Sequence, residues 1–149
     1  MNAKLLHLLL IDDDEVDREA VGRGFDASGI PYVITVAKNG VDALAVLHAS
    51  VDSPAGCPHL ILLDLNMPQM GGLSFLDALR ADPAFRHIIV IALTTSTRNA
   101  DVTAAYERNV AAYIAKSSMG EDCADLVQFI HSYWRLAEFP MLSEDAAFA

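Results

Sequence analysis

The sequence has few cysteines and no long apolar run, and both shortages exclude classes of protein. None of its 149 residues belongs to an apolar stretch near the ~20 that a membrane-spanning helix needs. Met1–Leu10 is followed at once by acidic residues and lacks the small-residue cleavage site of a signal peptide. Cys57 and Cys123 are expected to be reduced thiols, the default in a chain that is not exported. These absences predict a cytoplasmic protein without a membrane segment.

Positive charge is also scarce, which bears on possible partners. Ten Lys and Arg residues stand against twenty Asp and Glu, giving a net charge of −10. Such an excess repels phosphate backbones, and no basic cluster interrupts it, so we expect no binding to DNA or RNA. The acidity suits a basic partner surface, or solubility alone. Hydrophobic residues make up 53% of the chain, which predicts one domain with a full core.

Strand-like and helix-like segments alternate five times along the chain. Apolar or β-branched runs predict strands at Leu5–Ile11, Tyr32–Ala37, Leu60–Leu63, His87–Leu93 and Ala111–Ala115. Apolar residues at helical spacing predict helices at Asp14–Ser28, 41–48, Leu73–Ala81, Asn99–Glu107 and Glu121–Leu136. This alternation is typical of an α/β protein. It predicts a doubly wound, five-stranded parallel sheet with helices on both faces.

Side chains that can bind a metal or take part in a reaction follow four of the predicted strands. Asp12 and Asp13 follow the first strand, and Asp64 follows the third. Thr94 follows the fourth strand and Lys116 follows the fifth. Because the carboxyl ends of parallel strands meet at one edge, we expect these groups in a single crevice. Three neighbouring carboxylates repel one another, so a divalent cation is expected among them, and Mg²⁺ suits because it also binds phosphate oxygens.

A carboxylate, a metal, a hydroxyl and an ammonium are the parts needed to transfer a phosphoryl group onto Asp64. In this interpretation Asp64 attacks phosphorus in line. Asp13 and Asp64 hold Mg²⁺ directly and Asp12 holds it through water, so that charge on the equatorial oxygens is neutralised. Lys116 supplies a second positive charge, and Thr94 donates to a phosphoryl oxygen. The next acids in the chain, Asp14, Glu15 and Asp17, are expected to stabilise the helix N-terminus.

These residues stand in motifs that resemble the receiver domain of response regulators in two-component signalling. The motifs are Ile11-Asp12-Asp13, Leu63-Asp64-Leu65-Asn66-Met67-Pro68, Ala92-Leu93-Thr94 and Tyr113-Ile114-Ala115-Lys116. The resemblance implies a flavodoxin-like receiver domain over residues 1–136, transfer from a sensor histidine kinase to Asp64, and dependence on Mg²⁺. It also implies that the Asn66 carbonyl is a metal ligand. Thr94 and Tyr113 become a switch pair, in which the Tyr113 ring turns inward once Thr94 moves to the phosphate.

A narrower resemblance is to the stand-alone regulators paired with bacterial phytochromes. It is carried by Asp17, Leu93-Thr94-Thr95-Ser96, Tyr113-Ile114-Ala115-Lys116-Ser117, Trp134 and Phe139-Pro140. It implies a bacteriophytochrome kinase as partner and a homodimer, with Tyr133, Trp134 and Phe139 in the interface. Residues 137–149 are then either an arm that packs on a second subunit or a frayed terminus.

Two positions depart from the family pattern. Ser117 follows Lys116 where the family usually has a proline in a cis peptide, and a non-proline cis bond costs about 3–4 kcal/mol. Gly71 stands where many receivers have an Asp, which removes a side-chain cap from the following helix.

Two other functions are open from the sequence. An aspartyl-phosphate phosphatase would also form a phospho-aspartate, but its motif has a second Asp where this chain has Asn66, which cannot act as a general acid. A docking module that never gains a phosphate would not need the whole set of site residues. We therefore predict a single-domain response regulator and no enzyme with an independent substrate. No DNA-binding segment or separate output domain is expected after Leu136.

Overall fold

The computed structural model describes residues 4–67 and 70–140. Within them are the strands β1 (Leu6–Ile11), β2 (Tyr32–Ala37), β3 (Leu60–Asp64), β4 (Ile89–Thr94) and β5 (Ala112–Ala115). The α-helices are α1 (Glu15–Ser28), α2 (Gly40–Ser50), α3 (Gly72–Ala81), α4 (Asn99–Glu107) and α5 (Ala124–Leu136). Every predicted strand and helix is present, and apart from the start of α5 each boundary falls within about two residues of its prediction.

The strands form one parallel sheet in the order β2-β1-β3-β4-β5. This confirms the predicted flavodoxin-like, doubly wound fold. The strand order reverses between β1 and β3, because β2 lies on one side of β1 and β3 lies on the other. The register sets Ile11 beside Leu63 and Asp64 beside Leu93, so the carboxyl ends of β1, β3 and β4 are neighbours. Open α/β sheets hold their ligands in the crevice at such a reversal.

The central strands are buried on both faces, as their unbroken apolar runs predict. Alternate side chains point to opposite sides, so Leu8 packs in one core and Leu9 in another. The core around Leu8 includes Phe25 of α1 and Trp134 of α5. The core around Leu9 includes Phe75 of α3 together with residues of α2 and α4. Helices therefore cover both faces, which leaves the strand ends as the place for polar groups.

Helix α1 lies very close to the chain that leads into α5. A Cβ atom at Gly24 would be 2.6 Å from the carbonyl oxygen of Asp122 and 2.9 Å from Cγ2 of Val127. Next to this contact, Arg23 Nε donates a hydrogen bond of 3.1 Å to Asp122 Oδ1. Because the nearest atom belongs to the backbone, it cannot move aside cheaply. The absence of a side chain at Gly24 therefore sets the spacing between α1 and this part of the chain.

The predicted start of the last helix is wrong by three residues. Glu121–Cys123 form a short 3-10 helix, in which Asp122 and Cys123 have φ values of 50° and 59°. Side chains other than glycine rarely adopt positive φ, so these residues interrupt the α-helix, and α5 begins at Ala124. The predicted apolar stripe is present beyond that point, with Leu126, Val127, Ile130 and Trp134 buried.

Membrane-spanning segments and the state of the two cysteines can be examined within the described residues. No helix among residues 4–67 and 70–140 has the length and apolar character needed to cross a membrane. Cys57 and Cys123 are free thiols, and they pack in different cores on opposite faces of the sheet. The sheet therefore separates the two sulfur atoms.

Candidate functional site

Asp12 and Asp64 lie at the carboxyl ends of β1 and β3, only 1% and 2% exposed. Backbone amides orient both carboxylates. Asp14 N donates to Asp12 Oδ1 at 2.9 Å, and Asn66 N donates to Asp64 Oδ1 at 3.0 Å. The two Oδ2 atoms face Lys116 Nζ, at 3.5 Å for Asp12 and 3.4 Å for Asp64. Each acid thus has one oxygen fixed by the main chain and the other turned toward the crevice.

Asp13 is exposed beside these two acids and completes a set of three carboxylates. One oxygen from each of Asp12, Asp13 and Asp64 lies within 4.8 Å of the other two. Burial raises the pKa of Asp12 to about 6, although the Asp14 amide and Lys116 act in the opposite direction. The protein therefore compensates this buried charge incompletely. Hard carboxylate oxygens in such a set fit a divalent cation such as Mg²⁺ or Mn²⁺.

Lys116 follows β5 and places its ammonium group among the acids. Its Nζ atom is 2.7 Å from Asp17 Oδ2, closer than to either Asp12 or Asp64. Burial lowers the pKa of Lys116, but the hydrogen bond to Asp17 and the charges of the three acids outweigh it, so the pKa is raised overall. The ammonium stays charged. The peptide between Lys116 and Ser117 is trans, and Lys116 reaches the crevice in that form.

Thr94 lies at the end of β4, with its hydroxyl group already hydrogen-bonded. The hydroxyl oxygen accepts from Asn66 Nδ2 at 3.0 Å and from Ser96 N at 3.1 Å. Asn66 Nδ2 also donates to Thr95 Oγ1 at 3.1 Å. The Asn66 side chain therefore joins the loop after β3 to the loop after β4. A metal contact through the Asn66 carbonyl stays a prediction.

Tyr113, on β5, directs its hydroxyl group to the loop after β4. The hydroxyl donates to the Ser96 carbonyl oxygen at 2.8 Å, and the half-buried ring packs against the core that contains α2, α3 and α4. In this structure the ring is half-buried while Thr94 is still bonded to Asn66. The roles of Thr94 and Tyr113 as a switch pair stay predictions.

Tyr133, Trp134 and Phe139, the residues predicted for a dimer interface, contact one another within one chain. The Phe139 ring centroid is 5.4 Å from that of Tyr133 and 4.9 Å from that of Trp134. Trp134 is 8% exposed, and its ring packs against that of His59 at a centroid distance of 4.8 Å with a tilt of 47°, so it is mainly a core residue. Residues 141–149, the remainder of the predicted arm, lie outside the described residues.

Sequence reasoning missed two side-chain contacts at this site. Asp17 was expected to serve the helix N-terminus, yet it makes the shortest contact to Lys116. The capping role belongs to Asp14, whose side chain accepts from the amides of Val16 and Asp17. The sequence position of Asp17 could have indicated this contact. Asp17 lies in the first turn of a helix that directly follows β1, and that turn must lie beside the strand ends. The second missed contact is the hydrogen bond from the Asn66 side chain to Thr94.

Comparison with known proteins identifies the family. The model for the response regulator receiver domain matches residues 8–128. The chain belongs to this family. Response regulator Rcp1 of Synechocystis sp. is 35% identical to this receiver over 130 residues, which cover 85% of this chain and 87% of Rcp1.

Solved structures extend the similarity to nearly the full length of the receiver. The phosphorylated cyanobacterial phytochrome response regulator RcpA has a TM-score of 0.81 and 28% identity, covering 93% of this chain and 100% of RcpA. The Mn²⁺-bound form of Rcp1 has a TM-score of 0.79 and 33% identity, covering 91% of this chain and 99% of Rcp1. The receiver is thus related to phytochrome response regulators, and one of its relatives binds a divalent metal.

Proposed function

We propose that this receiver accepts a phosphoryl group from a sensor histidine kinase on Asp64, with Mg²⁺ as cofactor. The supporting observation is the state of Asp64. Its carboxylate is buried, one oxygen is fixed by a backbone amide, and the other faces the crevice beside Lys116. A nucleophile held in this way needs little reorganisation to attack phosphorus.

The remaining side chains have complementary roles in this proposal. Asp12, Asp13 and Asp64, together with the Asn66 carbonyl, would hold the metal, Asp12 through water. Bound Mg²⁺ supplies positive charge to the phosphoryl oxygens.

In the transfer step, an O–P bond forms at Asp64 as the N–P bond of the phosphohistidine breaks, and the electron pair leaves with the imidazole. Lys116 pairs with a phosphoryl oxygen. The Thr94 hydroxyl oxygen already accepts two hydrogen bonds. The hydroxyl hydrogen is therefore free to be donated to a phosphoryl oxygen.

The partner that we infer is a bacteriophytochrome-type kinase, since RcpA is a phytochrome response regulator of similar length. The free thiols of Cys57 and Cys123 agree with a cytoplasmic location. The output is a protein contact, and we propose no substrate beyond the receiver's own phosphoryl group. The phosphatase alternative is less well supported, because Asn66 carries an amide that already bonds Thr94 and Thr95.

A homodimer is the second part of the proposal. Phe129 and Leu136 are exposed on α5, and with Tyr133 they line a shallow, open apolar depression on the surface. Phe139 lies beside this surface, against Tyr133. A second copy of the chain would remove these apolar groups from water.

Replacement of Asp64 tests the phosphoryl acceptor. Asp64→Asn keeps the shape of the side chain but removes the nucleophile, so labelling by a phosphorylated kinase or a small phosphodonor with Mg²⁺ should be lost completely. Asp77→Asn is the matched control, because it removes an exposed acid on α3 that pairs with Arg108. The control should label like the wild type. Labelling of the Asp64 variant would contradict the mechanism.

Sedimentation at several concentrations tests the dimer. Truncation after Leu136 should shift the protein toward monomer, because it removes Phe139 and the rest of the arm. Phe129→Glu should weaken the same association while leaving the arm intact. If both variants sediment like the full chain, the proposed interface is wrong.

A further inference from the structure

Lys116 makes its shortest contact with Asp17, which carries part of the narrower resemblance but has no role among the site residues that the receiver resemblance implies. Its Nζ atom is 2.7 Å from Asp17 Oδ2, against 3.4 Å and 3.5 Å to the oxygens of Asp64 and Asp12. The Asp17 side chain is 36% exposed and that of Lys116 19% exposed, so the pair is partly shielded from water. Asp17 does not belong to the set of carboxylates that could share a metal, which consists of Asp12, Asp13 and Asp64.

We propose that Asp17 is a positioning residue that draws the Lys116 ammonium away from Asp64 and Asp12. It thereby favours cation binding at the three carboxylates and weakens the hold of Lys116 on a phosphoryl group. This inference rests on the proposed function, because it concerns the same metal and phosphoryl sites. It assigns to the first turn of α1 an influence on both ligands, in addition to that of the metal-binding and phosphoryl-binding residues.

The position of Asp17 is well defined by its surroundings. Its backbone amide donates to the N-cap Asp14 at 3.3 Å, which ties the first turn of α1 to the end of β1. Farther along α1, the close approach of Gly24 to Asp122 fixes the helix against the chain leading into α5. The Asp17 carboxylate is therefore held on a rigid helix, whereas Lys116 has a long, flexible side chain that can adjust.

The charges predict what happens when Asp17 loses its carboxylate. Lys116 would then be attracted by Asp64 and Asp12 alone and would move toward them. A cation entering the carboxylate set would meet a closer ammonium and one negative charge fewer, so it should bind less tightly. The Lys116 ammonium would no longer be shared with Asp17, and one negative charge would be gone. An anion bound beside Asp64 should therefore bind more tightly. The two affinities must change in opposite directions.

Calorimetric titration of the full chain tests this opposition with Mg²⁺ alone and with beryllofluoride at saturating Mg²⁺. For Asp17→Asn we expect the Kd for Mg²⁺ to rise roughly fivefold and the Kd for beryllofluoride to fall roughly fivefold, as expected for one partly screened charge. Asp17→Glu keeps the charge and should restore both values toward those of the wild type. Glu19→Gln is the matched control, since it removes an exposed charge from the same helix and should change either Kd less than about twofold.

The outcomes separate this inference from the proposed function. If the wild type binds neither Mg²⁺ nor beryllofluoride, the proposed function is wrong. If the wild type binds both, but Asp17→Asn weakens both or matches Glu19→Gln, then Asp17 has a structural role or none, and the inference is wrong. Opposite changes in the two affinities, reversed by Asp17→Glu, support it.

Discussion

At the carboxyl end of the sheet, Asp12 and Asp64 are buried around the ammonium of Lys116, whereas at the amino end His7 is buried and the half-buried His59 packs against Trp134. His7 N donates to His59 Nδ1 at 3.1 Å, an arrangement that needs an unprotonated nitrogen. Burial lowers the pKa of both histidines, and for His59 the neighbouring His7 and Lys4 lower it further. The two imidazoles are therefore neutral at pH 7.

Burial has different consequences for the ionisable groups at the two ends of the sheet. At the carboxyl end, burial raises the pKa of Asp12 because Lys116 does not fully offset the loss of water. Negative charge is left over there for a cation. At the amino end, both imidazoles remain neutral, and that of His59 packs against the Trp134 ring. We conclude that the charged form of Asp12 costs stability at the carboxyl end, whereas the buried Trp134 ring contributes stability at the amino end.

The largest expected effect separates the two ends by stability. Trp134→Ala removes a ring that contacts His59 and Phe139, so the free energy of unfolding should fall by about 3 kcal/mol. Asp64→Asn, at the other end, should change it by less than about 1 kcal/mol in the absence of metal. Urea unfolding measures both. Trp134→Phe keeps a ring in place and should lose less, and a loss below about 1 kcal/mol for Trp134→Ala would contradict the comparison.

A smaller effect, of opposite sign, is expected at the carboxyl end. Asp12 has a pKa of about 6 in the folded protein against 3.8 normally. Its charged form therefore opposes folding at neutral pH, and Asp12→Asn should raise the free energy of unfolding of the metal-free protein by about 2 kcal/mol. Urea unfolding in a chelator is the measurement, with Asp13→Asn as the exposed control.

Addition of Mg²⁺ makes the same experiment sharper. A ligand that binds the folded state stabilises the wild type, and the stabilisation should be reduced in Asp12→Asn, which lacks one metal contact. An Asp12 variant that is less stable than the wild type without metal would show that the carboxyl end is not strained by its charge.

The smallest effect is a pH dependence of opposite sign at the two ends. The pKa of each histidine is lower in the folded protein than the ~6.5 of an unfolded chain, so their contribution to stability is complete above that pH and is lost as the pH falls below it. The pKa of Asp12 is raised, so its contribution to stability increases as the pH falls through about 6. Metal-free wild type should show partial cancellation.

Variants separate the two contributions. In Asp12→Asn, unfolding free energy should fall more steeply between about pH 7 and pH 5 than in the wild type, because the opposing contribution is gone. Adding His59→Asn, which keeps an acceptor for the His7 amide, should make that fall shallower. Equal slopes in the wild type and the two variants would break the comparison.

The sequence predicts the carboxyl end better than the amino end. Asp12, Asp64 and Thr94 each follow an apolar run, and in a parallel sheet the end of a run determines the edge to which its last residue belongs. The chemistry of the crevice is therefore readable from strand boundaries. The contact of Trp134 with His59 joins α5 to the residue before β3, and a single apolar stripe does not say which residue meets the ring.

The contacts that the sequence missed depend on how the elements pack in three dimensions. The pair of Lys116 and Asp17 joins residues 99 positions apart and depends on the rotation and height of α1, which helical periodicity does not fix to within an ångström. The late start of the last helix depends on the positive φ of Asp122 and Cys123, and although Asp adopts positive φ more often than most residues, nothing in the type of Cys123 indicates it.

Gly24 lies seven residues beyond Asp17, about two turns or ~10 Å along the same face of α1. A methyl group there would meet the Asp122 carbonyl, and the rigid helix would have to tilt about that point. The far end of the tilted helix carries the carboxylate nearest to Lys116. A residue without a side chain therefore determines the tilt of α1. Substitutions at Gly24, far from the crevice, would change the distance between Asp17 and Lys116.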